Sequence, residues 1–365
     1  MSVDNIIGIK PDFLVLRSIT KSYKEKLVLS LDELKIGENE FFSIVGPSGS
    51  GKSTLLSILS GVEEPSSGQI FLRDKNITSI PAEKRPTAMV FQSLSLFPHM
   101  TIGQNIEYPL KVKGIQKSKR KNKAIELLNT LRLNDEFYEK KITECSGGER
   151  QRIAIARVLA YDPEVLFLDE PLSALDYRLR KTLEVELKDL HKRTKKTFIY
   201  VTHSLEEAMI MSDRIAIMRD GKIIQIDKPE DIYLKPADKF IANFLGETNI
   251  LPVKTNVQNG KLKIINKEKN INDEILSPKN NKLKEGYLII RPECIEFKKL
   301  DKEINSSIEI ILQNDYFLGS KICYVADYNG IQITIERPRE EKFNFKVGDK
   351  IKVYWKPSDS HFVEN

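Results

Sequence analysis

Apolar and polar positions follow two different rhythms along this chain. From about residue 13 to 235, short apolar runs alternate with stretches of helical spacing. Val165–Leu168 and Phe198–Val201 are continuous apolar runs of strand length, and Phe41–Val45, interrupted only by Ser43, reads as another buried strand. Ser53–Leu59 reads as the helix after Phe41–Val45. Leu179, Leu183, Leu187 and Leu190 recur at spacings of four, four and three, the stripe of an amphipathic helix. Buried strands alternating with helices predict an α/β domain built on a largely parallel sheet. After Phe240–Phe244 the texture changes. Lys and Asn become dense from Asn256 to Lys284, and period-two alternation follows at Ile308–Ile310, Ile331–Ile335 and Lys350–Tyr354. That pattern predicts a small all-β domain, a barrel. The reading divides the chain into 1–240 and 241–365.

Composition narrows the classes. The 365 residues include 40% apolar and 30% charged positions, enough for two domains with real cores. The net charge of +6, from 58 basic and 52 acidic residues, is small and spread out. It gives no reason to expect a nucleic-acid partner. No apolar run approaches the roughly 18 residues of a membrane-spanning helix. The start, Met1-Ser2-Val3-Asp4, is acidic where a secretory signal would be basic. Cys145, Cys294 and Cys323 form no CxxC pair, which fits a reducing compartment rather than a disulfide framework or zinc site. A basic run, Lys111, Lys113, Lys117, Lys119, Arg120, Lys121 and Lys123, reads as a solvated helix face, with proximity to anionic lipid as the alternative.

The chemistry begins after the first apolar strand. Gly46-Pro47-Ser48-Gly49-Ser50-Gly51-Lys52-Ser53 fits G-x-x-x-x-G-K-[ST], and Thr54 continues into the helix. Glycines let the backbone approach phosphates, successive N–H groups point inward, and the helix start adds partial positive charge. Lys52 would neutralise the β- and γ-phosphates, and the Ser53 hydroxyl would ligate Mg²⁺. Val165–Leu168 then leads to Asp169 and Glu170 at the carboxyl end of a buried strand, where ligands bind in a parallel sheet. Asp169 is the candidate Mg²⁺ ligand and Glu170 the candidate general base.

Between these two motifs lies Cys145-Ser146-Gly147-Gly148-Glu149. The ordered set resembles the ATPase subunits of ABC transporters, whose signature is usually LSGGQ. Tyr23 matches the family's adenine-stacking aromatic, Gln92 the glutamine that meets Mg²⁺ or the attacking water, Ser173–Asp176 the D-loop, and His203 the switch histidine. Ser146, Gly147, Gly148 and Glu149 would cap the ATP held by an opposite subunit, and Asp176 is the D-loop aspartate. Cys145 and Glu149 depart from the usual Leu and Gln. Cys145 reads as a small apolar substitute, with an oxidisable thiol at the ATP interface as the sharper alternative.

The segment Gln92–Thr101, containing Leu96-Phe97-Pro98-His99-Met100-Thr101, is similar to the LFPHMT stretch of importer ATPases. Arg291-Pro292-Glu293, the Gly319 region, Val347-Gly348-Asp349 and Tyr354-Trp355-Lys356-Pro357 look like a TOBE domain, a small OB-like barrel. The resemblance thus implies an α/β P-loop ABC ATPase domain with a helical subdomain, followed by the β domain. It implies ATP and Mg²⁺ as ligands, and a homodimer or paired ATPase subunit sandwiching two ATP molecules. It further implies two membrane permeases and, indirectly, an extracytoplasmic solute-binding protein. The chain would then sit peripherally on the cytoplasmic face of the cell membrane. The branch includes importers of polyamines, iron(III), sulfate or molybdate, and sugars, and the reading leans to polyamine. A soluble ABC ATPase acting on ribosomes or DNA is the alternative class. The LFPHMT-like segment and the single cassette speak against it.

Overall fold

The computed structural model describes residues 12–256, 261–264, 274–276, 285–299 and 306–364. The first residues of the chain and most of the Lys- and Asn-dense 256–284 stretch lie outside them. Contacts divide the chain into two compact units, 1–229 and 230–365. The 240/241 boundary anticipated from sequence texture falls inside a short helix of the second unit.

The first unit starts with two long strands, β1 (Leu14–Tyr23) and β2 (Lys26–Ile36), then β3 (Phe41–Val45), α1 (Lys52–Ser60), β4 (Ser67–Leu72), β5 (Lys75–Asn76) and β6 (Thr87–Val90). Helices α2 (Ile102–Val112), α3 (Lys117–Thr130) and α4 (Gly147–Ala160) form the helical part. Next come β7 (Val165–Asp169), α5 (Tyr177–Thr194), β8 (Thr197–Thr202), α6 (Leu205–Met211), β9 (Arg214–Arg219) and β10 (Lys222–Asp227). One sheet is antiparallel, in the order β2-β1-β4-β5. The other runs β10-β9-β3-β8-β7-β6, parallel except at β10.

The continuous apolar runs have a simple cause. Strands of the central sheet are covered on both faces, so successive residues serve different cores. Phe41, Leu166, Leu168, Phe198 and Tyr200 face a core shared with α2–α5. Their neighbours Phe42, Ile44, Phe167, Ile199 and Val201 face a second core with α1 and the antiparallel sheet. In α5, Leu183, Leu187 and Leu190 are buried and Leu179 packs against the same core, as the stripe predicts.

The basic run is mostly solvated but not idle. Lys113 lies 3.6 Å above the Tyr161 ring and donates to the Tyr161 carbonyl at 2.9 Å. Arg120 donates to the buried Glu107 at 3.1 Å, and Lys123 pairs with Glu126 at 2.7 Å.

The second unit contains most of α7 (Pro229–Leu234), α8 (Lys239–Phe244) and the strands β11 (Asn249–Asn256), β12 (Lys261–Ile264), β13 (Glu274–Leu276), β14 (Glu285–Ile290), β15 (Ser306–Phe317), β16 (Lys321–Tyr328), β17 (Ile331–Pro338), β18 (Lys350–Trp355) and β19 (Ser360–Glu364). They form a five-stranded sheet, β13-β12-β11-β14-β19, and a four-stranded one, β17-β16-β15-β18. Both feed one core around Trp355, Tyr324 and Tyr328. Buried Arg291 ties the helices to this unit. Its guanidinium donates to the carbonyls of Tyr233 and Ala242 at 3.0 and 3.1 Å and stacks on the Tyr233 ring. Among the described residues, no helix is long and apolar enough to cross a membrane.

Candidate functional site

Strand register assembles the site. Val45 pairs with Thr202, and Asp169 pairs with Val201. The residues following these strands, Gly46, Glu170 and His203, therefore emerge side by side at one edge of the parallel sheet. There a cavity of about 420 Å³ is lined by Ser48–Thr54, Glu170 and His203.

The 46–51 loop is shaped by contacts that exclude side chains. A Cβ at Gly46 would lie 2.3 Å from the Met218 carbonyl oxygen of β9. Gly49 and Gly51 have φ of +79° and +98°, the region glycine adopts without strain. The Ser50 and Gly221 amides fix the loop, donating to the carbonyls of Pro47 and Ser50 at 3.2 and 3.1 Å. Lys52 is buried, and its ammonium donates to the carbonyls of Gly46 and Pro47 at 2.8 and 3.0 Å. Burial lowers its pKa, opposed by the charges of Glu170 and Asp169. The Ser50 hydroxyl is buried with no hydrogen-bond partner among the described residues. An orphaned donor in a glycine-rich loop fits a phosphate oxygen.

Asp169 is half-buried, and desolvation, then Glu170, raise its carboxyl pKa against the pull of Lys52. Glu170 has a φ of +43° and is held there by its amide, which donates to the Val201 carbonyl at 2.9 Å. Positive φ in a non-glycine residue costs strain, and such positions cluster at functional sites. Glu170 Oε2 lies 3.1 Å from His203 Nδ1.

Gln92 does not line the cavity. Its side-chain amide donates to the Ser173 hydroxyl at 3.3 Å, and Ser173 donates to the Glu170 carbonyl at 2.9 Å. Ser173 thus links Gln92 to the turn carrying Glu170, a role invisible in the motif spelling. Tyr23 is also outside the cavity. It is 43% exposed and donates to Glu63 at 2.6 Å, which raises its phenol pKa. Asp176 caps α5, accepting from the Leu179 amide at 3.1 Å.

None of Ser146–Glu149 lines this cavity either. Ser146 caps α4, and Glu149 reaches back to the Ser146 amide and hydroxyl at 2.7 and 2.9 Å. These bonds lower the Glu149 pKa. Glu149 therefore closes a capping box, a structural role the sequence reading did not assign to it. Gly148 is packed so closely on α5 that a Cβ would lie 2.8 Å from Leu179 Cδ1. Cys145 belongs to the buried core, and desolvation raises its thiol pKa. Both facts favour its reading as an apolar substitute.

Ser53, Asp169 and Gln92 offer only oxygen donors of the kind Mg²⁺ prefers. No group of three or more His, Cys, Asp or Glu side chains suited to a metal occurs among the described residues. A donor set this sparse fits a cation that keeps waters and shares substrate phosphates.

A second cavity, of about 410 Å³, opens beside the 92–101 segment and is largely apolar. Ala88, Met89, Phe97, Tyr108, Val158 and Tyr161 line it. Arg157 of α4 holds the segment there, donating to the Leu94 and Ser95 carbonyls at 2.8 and 2.7 Å. Leu94 and Ser95 both have positive φ, so this loop is pinned in a strained shape.

The description of the ABC transporter family matches residues 29–173, and that of the TOBE domain matches 288–363. A spermidine/putrescine import ATP-binding protein PotA of Mesorhizobium japonicum is 40% identical over 90% of each chain. The protein of the same name from Haemophilus influenzae is 39% identical over 97% of this chain and 96% of its own. Among solved structures, the dimeric ATP-binding cassette MJ0796, bound to ADP and Pi in a post-hydrolysis state, is 33% identical with a TM-score of 0.53. It covers 59% of this chain and 98% of its own. The phosphate-loop cavity, the Glu170–His203 contact and these similarities lead to one conclusion: the chain belongs to the ABC transporter family, as an ATP-binding, ATP-hydrolysing subunit with a C-terminal TOBE domain.

Proposed function

We propose that this chain powers polyamine import, hydrolysing ATP in a two-subunit sandwich that drives separate membrane permeases. Polyamine is favoured because relatives 39–40% identical over at least nine-tenths of this chain carry spermidine/putrescine import in their names. The observation that carries the hydrolytic reading is the Glu170–His203 contact of 3.1 Å at the rim of the phosphate-loop cavity.

On this reading the loop amides, the Ser50 hydroxyl and Lys52 bind the β- and γ-phosphates. Lys52 would exchange the Gly46 and Pro47 carbonyls for phosphate oxygens. Ser53 and Asp169, with Gln92, would hold Mg²⁺. When bound, that ion supplies charge neutralisation on the phosphates. Glu170 accepts a proton from a water that attacks the γ-phosphorus, and the bond to the β-phosphate oxygen breaks, giving ADP and phosphate. The His203 ring would meet Glu170 through Nδ1 and the γ-phosphate through Nε2. Tyr23 would offer a ring face to adenine. Ser146, Gly147 and Gly148 would cap the ATP of the opposite subunit from the start of α4, and Asp176 would stand at the subunit junction. The apolar cavity beside Phe97 and Tyr108 suits a short helix from a permease. That partner would hold the chain at the cytoplasmic face of the membrane.

The test is reconstitution of the chain with its permeases and binding protein in vesicles, followed by uptake of labelled spermidine, putrescine, iron(III), sulfate and maltose. ATP-dependent uptake of the polyamines alone supports the proposal. Uptake of another solute in their place overturns the solute assignment, and co-purification with ribosomes instead of permeases overturns the transport reading.

A further inference from the structure

Glu207 in α6 is a carboxylate that the hydrolytic step does not use, yet it is only 3% exposed. Its Oε2 accepts hydrogen bonds from the Tyr200 hydroxyl at 2.6 Å and the Thr202 hydroxyl at 2.8 Å. Burial and the Glu207 charge hold the Tyr200 phenol far above its ordinary pKa, so it remains a donor. The Thr202 hydroxyl in turn accepts from the Ser204 amide at 2.9 Å. Thr202 and Ser204 flank His203, so Glu207 fixes the backbone on both sides of the histidine.

The other oxygen of Glu207 faces Arg180 of α5, with Nε–Oε1 at 3.9 Å. The same guanidinium donates through Nη2 to the Leu175 carbonyl at 2.9 Å. Leu175 belongs to the Ser173–Asp176 turn, and Ser173 donates to the Glu170 carbonyl at 2.9 Å. The Glu170 carboxylate meets His203, closing a ring of polar links from Glu170 through His203, Thr202, Glu207, Arg180 and Leu175 back to Ser173. One link is slack. Arg180 Nε is buried without a hydrogen-bond partner among the described residues, and the carboxylate oxygen it faces lies just beyond bonding distance. A buried donor without an acceptor is costly, and a small approach of the two elements would satisfy it.

We propose that Arg180 and Glu207 are positioning residues for hydrolysis, joining the Ser173–Asp176 turn to the His203 backbone so that the two together set the Glu170–His203 alignment. The inference rests on the reading of Glu170 and His203 given above. Neither positioning residue lines the phosphate-loop cavity, so both act on turnover rather than on ATP binding.

The experiment is a mutant cycle on the full chain with Mg²⁺ and ATP. It compares R180M, T202V, H203A and the doubles R180M/H203A and T202V/H203A. Turnover at saturating ATP, affinity for a fluorescent ATP analogue, and thermal midpoint are read for each. R180M should lower turnover about tenfold or more, as a displaced catalytic pair does, with ATP affinity within about twofold of wild type. In the H203A background R180M should add less than about twofold, because its effect passes through the histidine. T202V, which changes the side chain little in size, carries the same expectations if R180M fails to fold. Turnover of R180M within twofold of wild type, or an effect that multiplies undiminished onto H203A, overturns the inference and leaves the reading of the site standing. Full activity in H203A overturns that reading, and the inference with it.

Discussion

The Glu149 carboxylate accepts the Ser146 hydroxyl at 2.9 Å and the Ser146 amide at 2.7 Å, so the first turn of α4 is closed by its own side chains. Removing the cap by S146A should cost about 1 kcal/mol of stability, measured by chemical denaturation. The pH dependence has a definite sign. The Glu149 pKa is depressed below 4.5 in the folded chain. Its stabilising contribution is therefore complete above the unfolded value and is lost as pH falls through the folded one. E149Q should lose less stability than wild type between pH 6 and 3, and equal losses would remove the carboxylate from the cap.

Gly46 and Gly49 should tolerate alanine differently. At Gly46 the added methyl meets the Met218 backbone oxygen, which cannot swing aside. G46A should displace the loop from β9 and weaken ATP binding by more than about tenfold, since overpacking against backbone typically costs 1–3 kcal/mol. At Gly49 nothing lies within 4 Å, and the penalty is backbone strain alone. G49A should lower stability by about 1 kcal/mol. Titration of a fluorescent ATP analogue and denaturation curves for the two variants make the comparison.

Cys145 should be inert in the folded chain. It is buried, its Sγ lies 3.7 Å from the Lys141 carbonyl oxygen, and its pKa is raised by desolvation. Burial likewise pushes the Cys294 thiol up to about 11. Thiol labelling followed by mass spectrometry should find Cys145 unmodified until denaturant is added, and low peroxide should leave ATPase activity unchanged. Rapid native labelling of Cys145 with loss of activity would restore the oxidation-sensor reading.

The sequence was most legible where one local rule dominates. Phe41–Val45 is a strand because both of its faces are covered, and the glycine spacing after it has few other uses. The 183–190 stripe in α5 is equally local. Less could be read where a residue's role depends on a neighbour distant in the chain. Glu149 looked like one letter of a nucleotide signature, and only the α4 geometry shows its carboxylate turned back on Ser146. Ser173, Arg157 and Glu207 each act through partners 62 to 81 residues away or across a strand turn, and no periodicity marks them. The α7–α8 region also escaped the texture argument. Its attachment to the β unit runs through groups far apart in sequence: the buried Arg291 guanidinium, whose acceptors lie 49 and 58 residues earlier, the Tyr233 hydroxyl, which donates to Glu293, and Ala242, which packs on Ile289 and Val363.

Glu170 is the proposed base that activates water, and E170Q tests that role most directly. Glutamine keeps the size and polarity of the side chain but cannot take the proton. Steady-state ATP hydrolysis by E170Q should fall about 100-fold or more, the usual contribution of a general base. ATP should still bind, and the two-subunit complex should accumulate in size-exclusion chromatography with light scattering. Hydrolysis by E170Q at a rate near that of wild type would contradict that role.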